Sequence, residues 1–310
     1  MRKSLTILGL TLAIAGAVQA QDYNNPPTLE NRNASGFPYY MLEMPSSAVS
    51  NLKVDAFDDD WAWFDPEYVL TMDEWKDEGD RPAPTRDDLD VTTKMAWKGA
   101  PENRWYVFMA IHDDTLSHEG TEVRRWDGDM LGFILDPQDH GRTRGKLGFS
   151  QEYVASPGNL TTSNYVERYP ESEGGDGPAA WRQFGEAPNL LGAVRVEPAE
   201  AWAADSWTSD TGGDTYYEWS LAVWNLFEEG GPSASTPSDL NAQAGNDGKG
   251  LSFVFFVEDG DPGFENDWTV RGSEATARQY FALGKLLRKG EFSEATAVEE
   301  TTWGHIKSTF

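Results

Sequence analysis

The chain has 310 residues, with 25 Lys and Arg against 52 Asp and Glu, four His and no Cys, for a formal net charge of −27. Such a negative surface repels phosphate backbones and anionic lipid, which excludes nucleic acid and the membrane surface as expected partners. Without Cys there is no disulfide framework, thiolate metal site, covalent haem attachment or Cys nucleophile. With 13 Trp, 11 Tyr and 15 Phe the chain is too aromatic for a disordered acidic polymer and ample for a real core.

Residues 1–20 carry Arg2 and Lys3, an apolar run from Leu5 to Val18 and the small-residue step Val18-Gln19-Ala20. This pattern predicts a signal peptide cut before Gln21, and so a protein secreted to a periplasmic or extracellular space. About 14 apolar residues are too short to span a bilayer, so no membrane insertion is expected. Residues 21–50, rich in Pro and Asn without a sustained period, read as an N-terminal arm or linker.

From residue 51 to 289 short alternating segments are separated by Gly, Pro and Asp clusters, the signature of strands. They fall at Asn51–Phe57, Val91–Lys98, Trp105–His112, Met130–Asp136, Lys146–Val154, Leu190–Val196, Tyr216–Val223, Leu251–Glu258 and Tyr280–Arg288. Trp105–Ile111 and Leu251–Val257 are apolar at almost every position, which predicts strands buried on both faces. Only Ser273–Gln279 suggests a helix, and a short one. Asp65–Asp90, Ser156–Asn189 and Glu228–Gly250 are long loops of the functional or mobile kind. The expected fold is all-β, an antiparallel β-sandwich of jelly-roll or immunoglobulin-like type with long acidic loops. Residues 290–310 form a C-terminal tail.

No catalytic motif is present: there is no G-x-S-x-G, H-E-x-x-H, phosphate-cradling loop or dinucleotide fingerprint. The expectation is therefore a protein that binds rather than catalyses. His112 and His118 could form a metal pair, but loop histidines usually serve structure. Hard cations take several oxygen ligands from loops, and carboxylates here gather at strand ends. Asp55, Asp58 and Asp60, Asp113 with Asp114, and Asp127 with Asp129 are calcium candidates. Glu258-Asp259-Gly260-Asp261 with Glu265 and Asp267 alternates like a calcium loop, but Phe264 stands where the helix-loop-helix version needs Gly. Indoles stack on the apolar faces of sugars. Trp61, Trp97 and Trp105 lie on or beside strands and belong in the core, as does at least one of Trp219 and Trp224. Trp126, Trp181 and Trp268 stand in polar, turn-rich contexts and are the candidate platforms for a polysaccharide or oligosaccharide.

The order of motifs resembles the family 9 carbohydrate-binding modules. Val54–Trp61 (VDAFDDDW) is similar to their opening "hydrophobic-Asp-Gly…Asp-x-x-Trp" segment. Arg104–Asp114 and Trp126–Pro137 resemble their "Leu-Tyr-Val…Val-x-Asp" and "Trp-x-x-Asp-Ser-Val-Glu-Ile-x-Ile-Asp" strands. Tyr216–Phe227 resembles "Tyr-x-x-Glu-x-x-Ile-x-Trp", and Arg278–Arg288 the closing "Phe-Gly-x-Leu" strand. The resemblance implies a β-sandwich carrying calcium, with a glycan held between Trp126 and Trp268 and read by Asp129. Asp113 and Asp129 match acidic positions near calcium and sugar. Gly132 stands where the family places a hydroxyl-reading acid, and Lys146 is only a loose match to its sugar-binding Arg. DOMON-like domains share the sandwich and some bind haem. The rival expectation is therefore a b-type haem electron-transfer domain, with Met95, Met109, Met130 or His112 as axial ligand. An enzyme using the sandwich as scaffold is the third possibility.

Overall fold

The computed structural model describes residues 39–77, 84–117, 129–136, 151–155, 183–198, 208–209, 212–226, 228, 230–245, 251–259, 266–270 and 282–292. Its strands, in chain order, are β1 (Tyr39–Glu43), β2 (Lys76–Asp77), β3 (Leu89–Lys98), β4 (Arg104–Asp113), β5 (Leu116–Ser117), β6 (Met130–Asp136), β7 (Gln151–Ala155) and β8 (Leu190–Glu197). They continue as β9 (Thr208–Ser209), β10 (Gly213–Ala222), β11 (Trp224–Leu226), β12 (Thr236–Pro237), β13 (Leu251–Asp259), β14 (Asn266–Val270) and β15 (Ala282–Leu287). The α-helices among the described residues are α1 (Ser46–Asn51) and α2 (Leu240–Gly245), of six residues each. None is long and apolar enough to cross a membrane. The signal-like segment, Ser273–Gln279 and the C-terminal tail beyond Phe292 lie outside the described residues.

Eleven of these strands form a β-sandwich, antiparallel except at β1 and closed at one corner by β13, while β5 with β9 and β11 with β12 make two-stranded sheets of their own. One layer runs β8-β10-β4-β3-β1-β15 and the other β7-β6-β13-β14-β2. Leu251–Phe253 of β13 pair with β15, whereas Phe255–Asp259 pair with β14; β6 pairs along Ser252–Glu258. Alternation decides which side chains meet between the layers, because successive residues of a strand face opposite ways. Trp105, Val107, Met109 and Ile111 of β4 share one core cluster with Leu131, Phe133 and Leu135 of β6 and with Phe253, Phe255 and Val257 of β13. Across the gap the Trp105 ring stacks on Phe255 at 5.8 Å and meets Phe133 edge-on at 5.4 Å, while Phe133 meets Trp219 at 5.0 Å. Each such pair contributes about 0.5–1.5 kcal/mol beyond burial.

The alternate residues of β4, Tyr106 and Phe108, join Tyr40, Leu42, Trp61, Phe64 and Tyr68 in a second cluster on the outer face. The segment from α1 to Tyr68 covers that face, so β4 is buried on both sides, as its apolar run predicts. Trp61, Trp97, Trp105, Trp219 and Trp224 are all buried.

The structure differs from the sequence reading in several stretches: β14 forms where no strand was expected, 3-10 turns and β2 occupy part of the expected loop Asp65–Asp90, and β12 and α2 part of Glu228–Gly250. Two further differences shape the core. Tyr39–Glu43, inside the segment read as an arm, forms β1, which runs parallel to both β15 and β3 in the sheet interior. Its first four residues, Tyr39–Leu42, are apolar and buried without alternation because both faces are covered. Asn51–Phe57, expected as a strand, is no strand: after α1 the chain turns irregularly into a 3-10 helix at Asp59–Trp61. Its backbone donors go to carboxylates instead of a ladder. Lys53 N–H donates to Asp60, and the N–H groups of Asp55 and Ala56 donate to Glu218.

Candidate metal centre

The inward-facing residues of β4, β6 and β13 are apolar until the strands reach one rim of the sandwich, where each offers an aspartate. Asp113 ends β4 on the alternation of Trp105 to Ile111, Asp129 immediately precedes β6 on that of Leu131 and Phe133, and Asp259 ends β13 on that of Phe255 and Val257. Register makes the three ends coincide. Glu258 pairs with Met130, which brings Asp259 beside Asp129, and the layer-to-layer packing brings both beneath Asp113. One carboxylate oxygen from each lies within 4.8 Å of the other two, and all three residues are buried.

Coulomb repulsion and desolvation both oppose three charged carboxylates in this setting. A hard divalent cation offsets both. Calcium holds oxygens at 2.3–2.6 Å, so any two ligands of one ion stand no more than about 5 Å apart, and this trio meets that limit. The donor set is all oxygen, without the imidazole or thiolate that softer metals favour. Surrounding charge reinforces the negative rim. Burial, and then the Asp114 charge, raise the Asp88 carboxyl above its ordinary value. Tyr217 of β10 is fully buried beside the trio. Burial first, then the charges of Asp129 and Asp113, hold its phenol well above the ordinary tyrosine value, so it stays neutral. Thr115 N–H donates to Asp113 Oδ1 at 2.9 Å, turning the chain sharply out of β4.

No family model and no curated protein matches the sequence. Among solved structures, the chain is similar to a family 9 carbohydrate-binding module from Caldicellulosiruptor kristjanssonii in complex with cellotriose, at 14% identity and a TM-score of 0.43. The likeness covers 81% of this chain and 93% of that one. The module's complex with glucose is similar at 14% identity and a TM-score of 0.43, covering 81% of this chain and 95% of that one. A Bacteroides uniformis protein provisionally named as carbohydrate-binding is similar at 10% identity and a TM-score of 0.43, covering 80% and 97%.

Of the metal candidates named from sequence, the structure brings Asp113 and Asp129 together with Asp259, which in sequence groups with Asp261, Glu265 and Asp267 instead. It does not bring Asp55, Asp58 and Asp60 into one site among the described residues. Asp55 Oδ1 accepts from Phe57 N–H, Asp58 pairs with Lys94, and Asp60 Oδ2 accepts from Lys53 N–H. These acids serve a tight turn. Burial raises the Asp60 carboxyl, against the hydrogen bond from Lys53 and with the Asp59 and Asp55 charges. Trp126 and Trp181 lie outside the described residues. Trp268 stands on β14, paired with Val257 and with Asp77. Its register is thus two residues from Asp259, while Trp126 is three residues from Asp129 in sequence.

Met95 and Met109 are buried in the interlayer cluster, whereas His112 faces outward and bonds Asp214 at 2.8 Å; His118 lies outside the described residues. Met130 belongs to β6, and Lys146 lies outside the described residues. Gly132, where the sequence resemblance leads one to expect an acid, has a structural reason to be Gly. A Cβ there would stand 1.9 Å from the ring of Phe256, its cross-strand partner. An acid at 132 requires that ring to move away.

Sequence reasoning missed Glu218. It is completely buried, with 0% of its surface exposed. It accepts from Asp55 N–H at 2.9 Å, Ala56 N–H at 3.0 Å and Trp61 Nε1–H at 2.9 Å. Burial outweighs these donors and pushes its carboxyl up to about 7. The available signal was an acid in mid-strand, inside the run Tyr216–Ala222 in which Ser220 is the other polar residue. The same clasp holds Ala56 at φ +62°, in the left-handed region, where the resembling family has Gly.

Proposed function

We propose that the protein is an exported, non-catalytic carbohydrate-binding β-sandwich whose glycan-binding rim is organised by calcium. The observation that carries this reading is the convergence of Asp113, Asp129 and Asp259 at the ends of strands from both layers. A cation there ties the two layers together at the rim nearest the candidate stacking residues in sequence and register. Asp129 stands three residues after Trp126 in sequence, and Trp268 lies on β14 two register steps from Asp259. A rigid rim lowers the entropy lost when a sugar is clamped between rings. Export is supported by the charged, apolar and small-residue sequence of residues 1–20. Net charge turns the binding preference toward neutral saccharides and away from polyanions.

The test is binding of a panel of neutral oligosaccharides to purified protein, with calcium and after chelation at constant ionic strength. The expected result is binding in calcium that falls at least about tenfold on chelation, and at least about tenfold in Trp126→Ala or Trp268→Ala variants that remain folded, the loss of one aromatic anchor. Colourless protein is expected. A Soret band with stoichiometric haem, or no saccharide bound in calcium, overturns the reading.

A further inference from the structure

We infer that the outer face of β8, centred on Phe57 and Arg195, is a second contact surface for neutral saccharides, distinct from the rim. The inference rests on the carbohydrate-binding reading and extends it to a new surface. Phe57 and Leu191 are the large apolar residues exposed among the described residues, at 48% and 42%. Both belong to this face. Leu191 and Arg195 share one side of β8, about 13 Å apart along the strand, room for a short oligosaccharide.

Phe57 is exposed yet held firmly in place. The Arg195 guanidinium lies over its ring at 4.2 Å and over the Tyr216 ring at 3.9 Å. Phe57 N–H donates to Asp55 Oδ1 at 3.1 Å, and Arg195 Nε–H donates to the carbonyl of Ala56 at 3.1 Å. Ala56 itself is strained at φ +62° and fixed by Glu218. Strain concentrated behind one exposed aromatic residue is characteristic of a binding surface. A ring in one orientation, with solvent on part of its surface, offers a sugar a stacking platform at little ordering cost.

Polar groups suited to hydroxyls stand beside it. A guanidinium has five N–H donors, of which Arg195 uses one at Nε for Ala56 and one at Nη1 for Glu197. Glu197 is exposed and adds acceptors. Asp214, which receives the hydrogen bond from the Tyr216 hydroxyl at 3.4 Å, faces Glu197 across the β8–β10 ladder. With Asp55, Glu197 and Asp214 around the platform, uronates and sulfated sugars meet repulsion. The ligand class is therefore a neutral oligosaccharide.

The test uses the full chain in calcium, with cellotriose, xylotriose and chitotriose as probes and trigalacturonate as the acidic control. Calorimetry is paired with amide chemical-shift mapping on the parent protein. The expected result is two classes of triose site in the parent, of which Phe57→Ala weakens the outer-face one at least about fivefold and leaves the rim one unchanged, with retention by Phe57→Trp and a melting midpoint moved by no more than about 2 °C. Amides of Ala56–Asp58 and Arg195 should shift with the triose and stay still with trigalacturonate. Should Phe57→Ala fail to fold, those shifts in the parent decide. If the parent binds a triose while these amides stay still, or Phe57→Ala binds as the parent does, the outer-face surface is refuted and the rim reading stands. If the parent binds none of the trioses, both fall.

Discussion

Removing the Glu218 carboxyl should release the segment that covers the outer face of the sandwich. In Glu218→Ala the N–H groups of Asp55 and Ala56 and the Trp61 indole lose an acceptor in a site that is fully buried. A stranded buried donor costs about 1–3 kcal/mol, and partial relaxation of the turn toward water brings the total to about 3 kcal/mol. For a domain of this size that lowers the melting midpoint by about 6–12 °C. Glu218→Gln separates charge from shape. Because burial raises the folded carboxyl from its ordinary value to about 7, the folded state binds the proton more tightly than the unfolded chain. The contribution of Glu218 is therefore fully present below about pH 4.5 and declines as pH rises to about 7, where it levels off. The assay is thermal melting of parent and Glu218→Gln from pH 5 to pH 8 at fixed calcium and ionic strength. The stability advantage of the parent over Glu218→Gln should be largest at pH 5 and shrink toward pH 8. Parallel profiles across that range, or a Glu218→Ala midpoint within 2 °C of the parent, would refute the reasoning.

Two further substitutions test local backbone and packing. Ala56→Gly relieves a left-handed Ala, worth about 1–2 kcal/mol, against about 0.4–1 kcal/mol of added unfolded-state entropy. Its melting midpoint should equal or exceed that of the parent, and a loss above about 1 kcal/mol by denaturant titration contradicts the strain. Gly132→Ala drives a methyl into the Phe256 ring and should cost about 1–3 kcal/mol; an unchanged denaturation midpoint would mean the ring moves freely.

What the sequence made legible follows from how local each signal is. β6 occupies the predicted Met130–Asp136, because a short apolar strand between turn-rich segments carries its own limits. The double burial of β4 follows from its unbroken apolar run. Asp113 and Asp129 stand out as acids ending apolar strands. Asp259 belongs with them only through the β13–β6 register and the packing of two layers, so in sequence it groups instead with Asp261, Glu265 and Asp267. Asn51–Phe57 alternates like a strand, yet Glu218, some 160 residues later, takes the backbone donors a ladder would need. β1 was hidden for the opposite reason: five residues between Pro38 and Met44-Pro45 give too short a pattern, and its partners β15 and β3 lie far along the chain.

The most direct measurement is a calorimetric titration of calcium into chelator-stripped protein, run on the parent, Asp129→Asn and Asp259→Asn. The trio predicts a saturable calcium site in the parent that stabilises folding by about 2.7–4 kcal/mol at 100–1,000 times Kd. Both variants should lose that site and the accompanying rise in melting midpoint. Calcium heats and midpoints in the Asp259→Asn protein equal to those of the parent, or no calcium bound by the parent, would contradict a calcium-organised rim.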